Sequence, residues 1–392
     1  MRFLLLNQFY PPDAAPTGVY LHDVARGLVD AGHEVRVLAS RRGYDGSGPF
    51  AARELLDGID VRRLPTAPFG DGVVWRGASQ LSYLGLAAPR AVVGGWAEHV
   101  VTMTSPPYVG LLGALAAHVR AATHVHWAMD LYPDVLDAHG MGGSAQRPLR
   151  ALARWQMRAT RLVIAPSADM AARLRARVGE NTAVADVPLW TRPLERAANP
   201  SALRQAFGWP ADRLVLLYSG NLGLGHRFAE FLAAARALGP EGPLWVFAGG
   251  GARRGEIEAV ASADGPVRFL AYADPEQHRA RTLAADVHLM SLRTSWDGLI
   301  VPSKLQAAFG AGRPAIFVGS RTGDVGRWIA ESGGGWTVDE GDVAGLLRAV
   351  AEACDPDERR TRGEAALAFA RERFGLERNV ARMVELLTRA RW

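Results

Sequence analysis

The one lysine of this 392-residue chain, Lys304, sits in "DGLIVPSKLQAAFGAGRP"; the other 44 of its 45 Lys and Arg side chains are arginine. An ammonium is a compact point charge on a flexible stem, whereas a guanidinium is a planar fork. A chain that uses arginine elsewhere and keeps lysine here singles out the position for a charge of that shape. Ser303 just before it is a good N-cap or first-turn donor, so Lys304 is expected in the first turn of a helix. A cation there opposes the helix dipole, and an anion held at the same helix start would offset that cost. A solvated lysine at a helix start is the plainer alternative.

A second loop follows the same logic. In "LLYSGNLGLGHRFAEFLAAA" a strand runs into Gly220, Asn221, Gly223 and Gly225, then into a helix starting near Phe228. Glycines let backbone N–H groups approach a phosphate, and a helix N-terminus adds a favourable field. His226 and Arg227 stand where a cation would reach a diphosphate. An ordinary glycine-rich turn is the alternative, because a bare G-x-G pattern is weak.

Elements must hold these loops in place. Short apolar runs predict strands at 3–8, 34–40, 99–105, 124–129 and 161–166, and again at 214–220, 244–251, 267–272, 286–292 and 314–319. Between the first two, Leu21, Val24 and Leu28 recur at helical spacing and Gly32 stops the helix. Strand–helix alternation predicts an α/β fold with parallel sheets covered on both faces, in two doubly wound domains. Such sheets bind ligands at the carboxyl ends of their strands, so two facing domains would form a cleft. The join is expected in "DVPLWTRPLERAANPS", 186–201, which carries three prolines and no clean period. The domains are therefore set at 1–190 and 191–374. A helical tail follows, with Phe369, Met383, Leu386 and Leu387 as its apolar candidates.

With 48% hydrophobic and 22% charged residues the chain can bury real cores and is not disordered. Its net charge of +5 and pI of about 9.7 suit phosphates or anionic lipid surfaces. No basic run interleaved with aromatics points to nucleic acid. A single cysteine, Cys354, excludes an internal disulfide framework and a cysteine-ligated zinc site. The opening "MRFLLLNQFYPP" has too short an apolar core for a signal peptide, and no apolar run is long enough to span a bilayer. The expected location is cytoplasmic, extending to the inner membrane face. That extension comes from "RPLRALARWQMRATR", where Arg147, Arg150, Arg154, Arg158 and Arg161 fall at steps of three and four. The stripe reads either as a solvated face or, with Leu149, Leu152 and Trp155 nearby, as a surface for anionic lipid.

Together, "NQFYPPDAAPTG", "HWAMDLYPD", "SGNLGLGH" and "GLIVPSKLQAAFGAGRP" resemble the family 4 retaining glycosyltransferases. The likeness is to the bacterial branch with a V-P-S-K motif, which moves sugars or amino sugars from nucleotide donors. It covers nearly the whole chain in the right order. The resemblance implies a GT-B fold: two Rossmann-like domains facing across a cleft, with a C-terminal helix, about 375–392, crossing back to the first. It also implies a nucleotide-diphosphate sugar donor, with UDP the expected nucleotide, and no further cofactor. The acceptor would be a hydroxyl of a glycan, a lipid-linked sugar or a small molecule. No metal is expected, since no acidic D-x-D cluster is evident.

Residue by residue, Gly220, Asn221 and Gly223 match the family's diphosphate loop, and Arg227 the basic residue that follows it. Asp297 matches the first acid of the paired-acid signature, expected near the transferred sugar's hydroxyls. Ser303 and Lys304 would face the phosphates. The departure is Ala307, where many relatives place a glutamate that holds the ribose diol; either Gln306 or Asp324 takes over, or nucleotide selectivity is looser. Gly18 resembles the glycine of the loop passing near the donor phosphate. Asp130 matches an acidic or histidine position near the reacting centre, with a turn residue as the alternative reading. His126 is read as a packed residue. A nucleotide-sugar epimerase and a non-catalytic nucleotide-sugar-binding partner of the same fold are the rival readings of the whole chain.

Overall fold

A computed structural model of the chain describes every residue except 14, 71, 142, 144, 145, 193, 195–199 and 390–392. It divides into two units: Met1–Pro188 with Glu377–Trp392, and Leu189–Leu376.

Among its described residues the first unit is built on eight strands: β1 Arg2–Leu6, β2 Glu34–Ser40, β3 Arg53–Leu56, β4 Ile59–Leu64, β5 His99–Thr102, β6 Thr123–Trp127, β7 Leu162–Ala165 and β8 Ala183–Asp186. Their order is β3-β4-β2-β1-β5-β6-β7-β8, parallel throughout except for the β3–β4 pair. Central strands such as β1 bury a continuous apolar run, which a parallel sheet covered on both faces requires. The edge hairpin β3–β4 turns at Asp57–Gly58, where φ is +50° and +82°. "DG" between apolar runs is the sequence of such a turn, a signal that scanning for long apolar runs passes over. β8, exposed at its first residue and half-buried along the rest, lies outside the expected strands too, as does the strand Gly335–Val338 of the second unit.

The tail is two helices, Pro356–Arg373 and Leu376–Arg389. They break where Gly375 pairs in parallel with Thr191. The second helix packs in the first unit, burying Met383 and Leu387. Gly27, on the Pro16–Asp30 helix, permits the approach: a Cβ there would stand 2.7 Å from Val380 and 3.0 Å from Val384.

The arginine stripe is shorter than expected. The helix spans Arg147–Arg158. Beyond it the Thr160 hydroxyl donates back to Gln156 O, and Arg161 N–H donates to His124 O, already in sheet register. Arg161 therefore lies off the helix, its guanidinium directed to Asn181 O.

The second unit carries β9 Val215–Ser219, β10 Leu244–Ala248, β11 Val267–Leu270, β12 Val287–Ser291, β13 Ala315–Val318 and β14 Gly335–Val338. All are parallel, in the order β11-β10-β9-β12-β13-β14. The chain leaves β9 toward β11 on one side and returns through β12 on the other. The order reverses between β9 and β12, and such a switch point opens a crevice at the strands' carboxyl ends. Beneath it Tyr218, Phe228, Phe231, Trp245 and Phe247 are fully buried. The Tyr218 and Phe228 rings meet edge-on at 5.0 Å. This aromatic floor gives the loops above it a rigid base. Among the described residues no helix is long and apolar enough to cross a membrane.

Candidate active site

The loop after β9 is fixed to the loop after β10 by main-chain bonds. Gly220 N–H donates to Ala248 O and Leu222 N–H to Gly250 O, each at 2.8 Å. Gly249 has φ +138°, and a Cβ on it would meet Gly220 O at 2.0 Å, so the two backbones touch where only glycine fits. The Asn221 amide is wedged between Gly223 and Gly251, whose added Cβ atoms would lie 3.0 and 2.5 Å from it. Gly225 lies under the Trp296 ring, where a Cβ would come within 2.7 Å.

Lys304 starts the Lys304–Gly310 helix after β12, with Ser303 as an N-cap whose hydroxyl makes no capping bond. Its stem crosses the switch point onto β9. Gly220 has φ +129°, and a Cβ there would stand 3.0 Å from Lys304 Cε. The ammonium rests 4.9 Å from the centroid of the Tyr218 ring and 3.5 Å from His226 Nε2. Among the described residues it has no carboxylate partner. Burial pulls its pKa from 10.5 down to about 8.

His226 is not the exposed cation expected from the loop. It is buried, its Nδ1 bonded to the Ser291 carbonyl. Burial first, then the charges of Lys304 and Arg253, bring its pKa down to about 3, so the ring is neutral. Arg227 is engaged elsewhere. Its Nε donates to Glu230 at 2.8 Å and its Nη1 to Glu340 at 2.8 Å. Glu230 is itself buried, and Glu340 also accepts from the Thr294 N–H and hydroxyl. The guanidinium thus has two carboxylates to neutralise it, and the ammonium of Lys304 has none.

Asp297 follows the Thr294–Trp296 turn and lies half-buried against Gly323, where a Cβ would sit 3.0 Å from its carboxylate. Asp297, Gly298, Val301, Pro302 and Asp324 share a recess there. Gln306 is buried, and neither its amide oxygen nor its nitrogen has a partner among the described residues. Asp324 is buried and paired with Arg327 at 2.6 Å.

In the first unit β6 and the segments that follow β1, β5 and β6 carry the remaining candidates. Gly18 is a packing position: a Cβ would meet Phe9 O at 2.8 Å, and its N–H already donates to Ala15 O. His126 is buried, its Nδ1 3.0 Å from the Thr102 hydroxyl, which also meets His124 Nε2. Asp130 is half-buried; burial raises its pKa from 3.8 to about 6. No hydrogen bond or ion pair holds its carboxylate among the described residues. Beside it Tyr132 is pushed up by burial, then by Asp130, Tyr108 and Tyr44. Tyr108 has φ +65° and a buried hydroxyl with no partner among the described residues. Strain of this kind in a non-glycine residue collects at functional loops.

Sequence reading missed Tyr108, Tyr218 and Glu340. Tyr218 looked like one more strand residue, and nothing in a linear pattern ties Glu340 to Arg227. Among the described residues no group of three His, Cys, Asp or Glu is placed to hold a metal ion.

Residues 17–190 match the sequence profile of the glycosyl transferase 4-like domain. The probable glycosyltransferase WbjE of Pseudomonas aeruginosa is 24% identical over 61% of this chain, and the chain spans 62% of that protein's length. The Escherichia coli K12 protein WcaI, named for glycosyl transfer in colanic acid biosynthesis, is 22% identical over 83% of this chain and 85% of its own. Among solved structures, sucrose-phosphate synthase from Thermosynechococcus elongatus superposes with a TM-score of 0.75 at 19% identity, over 99% of this chain and 98% of that one. HepE of Anabaena, solved with UDP-glucose, gives 0.72 at 18% identity, over 99% of both. Residues 17–190 therefore carry a glycosyl transferase 4-like domain, and the chain as a whole has the GT-B fold of these solved structures.

Proposed function

We propose that the protein transfers a glycosyl group from a UDP-sugar to an acceptor hydroxyl, with retention at the anomeric carbon and without a metal ion. One observation carries the reading: the Lys304 ammonium is held half-buried at the switch point against Tyr218 and His226, with no carboxylate among the described residues to neutralise it. A buried charge without a partner is costly. A bound diphosphate supplies the missing anion, and HepE of Anabaena, which has the same fold, was solved in complex with UDP-glucose.

In this reading Lys304, Ser303 and the Gly220–Gly223 loop receive the diphosphate, and Asp297 receives the sugar's hydroxyls. Arg227 acts with Glu230 and Glu340 to hold the loop, so the positive charge at the phosphates comes chiefly from Lys304. As the bond from C1 to the diphosphate oxygen breaks, negative charge grows on the leaving group. A preorganised ammonium stabilises it without reorganising. The acceptor oxygen forms its bond to C1 on the same face and gives its proton to a departing phosphate oxygen. Asp130 is assigned to orienting the acceptor hydroxyl. Gln306 is assigned to the ribose, since its unpartnered amide can both donate and accept. The acceptor is a glycan, a lipid-linked sugar or a small molecule, and the arginine helix is the part that would lie on an anionic membrane.

The deciding assay follows UDP release and product formation from UDP-sugars with candidate acceptors. Lys304→Ala should lose about 10²–10³ in turnover, the scale of one preorganised donor, and NMR of the product should show the donor's anomeric configuration. Unchanged turnover in Lys304→Ala defeats the reading. Donor converted to its epimer without any acceptor would favour an epimerase, and tight UDP binding with no transfer a non-catalytic partner.

A further inference from the structure

We propose that His226 is a positioning residue for Lys304: its uncharged ring offers the Nε2 lone pair to the ammonium and aims it across the switch point. The inference rests on the reading of Lys304 as the diphosphate's cation and adds the device that holds it.

The geometry fixes the ring's chemistry. A carbonyl oxygen only accepts, so the contact between Nδ1 and Ser291 O places the imidazole proton on Nδ1. Nε2 is then a bare acceptor, and the nearest donor is Lys304 Nζ at 3.5 Å. Ser291 sits at the end of β12. Its hydroxyl takes the Arg227 N–H at 3.0 Å and donates to Arg227 O at 2.7 Å. Strand β12 therefore grips the β9 loop at two successive residues and presents the ring at a set angle. Tyr218 packs edge-on to it, with centroids 5.9 Å apart, and turns its own face to the ammonium.

An ammonium has three protons. One is directed to Nε2 and one to the Tyr218 face, which leaves a third for a ligand. The other charged or titratable groups facing this nest are Arg253, whose Nη1 donates to His226 O, and Tyr272, felt through Tyr218. Neither can accept the ammonium's charge as a carboxylate would. A charged ring would repel Lys304. The burial that keeps His226 neutral is thus part of the arrangement.

The test is UDP affinity of the full-length protein by calorimetry, from about pH 6.5 to about pH 10.5. In the wild type, affinity should fall as Lys304 loses its proton. His226→Phe keeps a ring and removes the acceptor. The charged form of Lys304 then loses its hydrogen bond, and the falling limb should start about one pH unit lower. Near pH 8 UDP should bind about fivefold more weakly than to wild type, approaching tenfold at higher pH, with a smaller gap at lower pH. His226→Gln, which keeps a donor and an acceptor, should restore most of the shift. A purely structural role would weaken binding equally at every pH and leave the limb in place, which overturns the proposal.

Lys304→Met in the same titration separates the two readings. A variant that binds UDP as tightly as wild type and shows the same limb removes Lys304 itself from the diphosphate. Loss of the limb in Lys304→Met together with a wild-type limb in His226→Phe overturns His226 alone. Should His226→Phe not fold, the ring ¹⁵N shifts of wild type decide. A neutral ring protonated on Nδ1, with Nε2 responding as Lys304 titrates, supports the proposal. A proton on Nε2 leaves no lone pair for the ammonium and refutes it.

Discussion

Replacing Lys304 with methionine should make the unliganded protein more stable. Burial lowers the lysine's pKa from 10.5 to about 8, and at 1.36 kcal/mol per unit the charged side chain costs the fold about 3 kcal/mol near neutral pH. Methionine keeps the apolar stem and fills the space beside Gly220 but forfeits the ammonium's attraction to the Tyr218 face, worth about 1–2 kcal/mol. The net gain expected at pH 7 is about 1–2 kcal/mol. Its pH dependence has a definite sign. The folded-state pKa lies below the unfolded one, so the unfolded chain holds the extra proton between about pH 8 and about pH 10.5. Wild type should gain stability as pH rises through that window, and the variant's advantage should shrink with it. Urea unfolding of both proteins at neutral pH and at two points inside the window measures this. Saturating UDP should reverse the ranking, since ligand at a hundred times its Kd adds about 2.7 kcal/mol to wild type. A variant less stable than wild type at pH 7, by an amount that does not change with pH, would falsify the account of Lys304 as an uncompensated buried charge.

Two further outcomes follow from the first unit. Asp130 has a pKa raised to about 6 by burial, so its charge costs stability above pH 6 and not below pH 4. Asp130→Asn should then raise the thermal midpoint at pH 7.5, cut transfer by about 10²–10⁴ and leave UDP affinity unchanged, a split read by calorimetry beside the transfer assay. The helix Arg147–Arg158 exposes Leu152 and Trp155 beside Arg147, Arg154 and Arg158. Cosedimentation with vesicles containing anionic lipid should therefore exceed that with neutral vesicles, fall with salt, and drop by about 1 kcal/mol for each arginine removed. Equal binding to both vesicle types would leave the stripe a solvated face.

Much of the fold and of the candidate site was legible because the signals are local. The alternation of apolar runs with helical spacing reflects burial on both faces of a parallel sheet, and it gave ten of the strands in place. The glycines at 220, 223 and 225 and the lone lysine at 304 announce themselves within a dozen residues. The hairpin at Asp57–Gly58 was as local, but its strands alternate in exposure and so lack the continuous run that was sought. Arg161 went astray because spacing continues past the point where Thr160 closes the helix onto Gln156.

What the chain's order could not tell was which of its cations is free. Arg227 and Lys304 look equally suited to a phosphate in one dimension. Glu340, 113 residues away from Arg227 in sequence, reaches its guanidinium only because the parallel strands β9 and β14 bring their carboxyl ends to the same side of one sheet. His226 likewise reads as a cation until the fold buries it against Ser291 and a neighbouring ammonium. Residue type and spacing chose the actors, because backbone propensity and periodic burial are properties of short segments. Charge state and pairing depend on desolvation and on partners from distant strands, and these exist only once the sheet has formed.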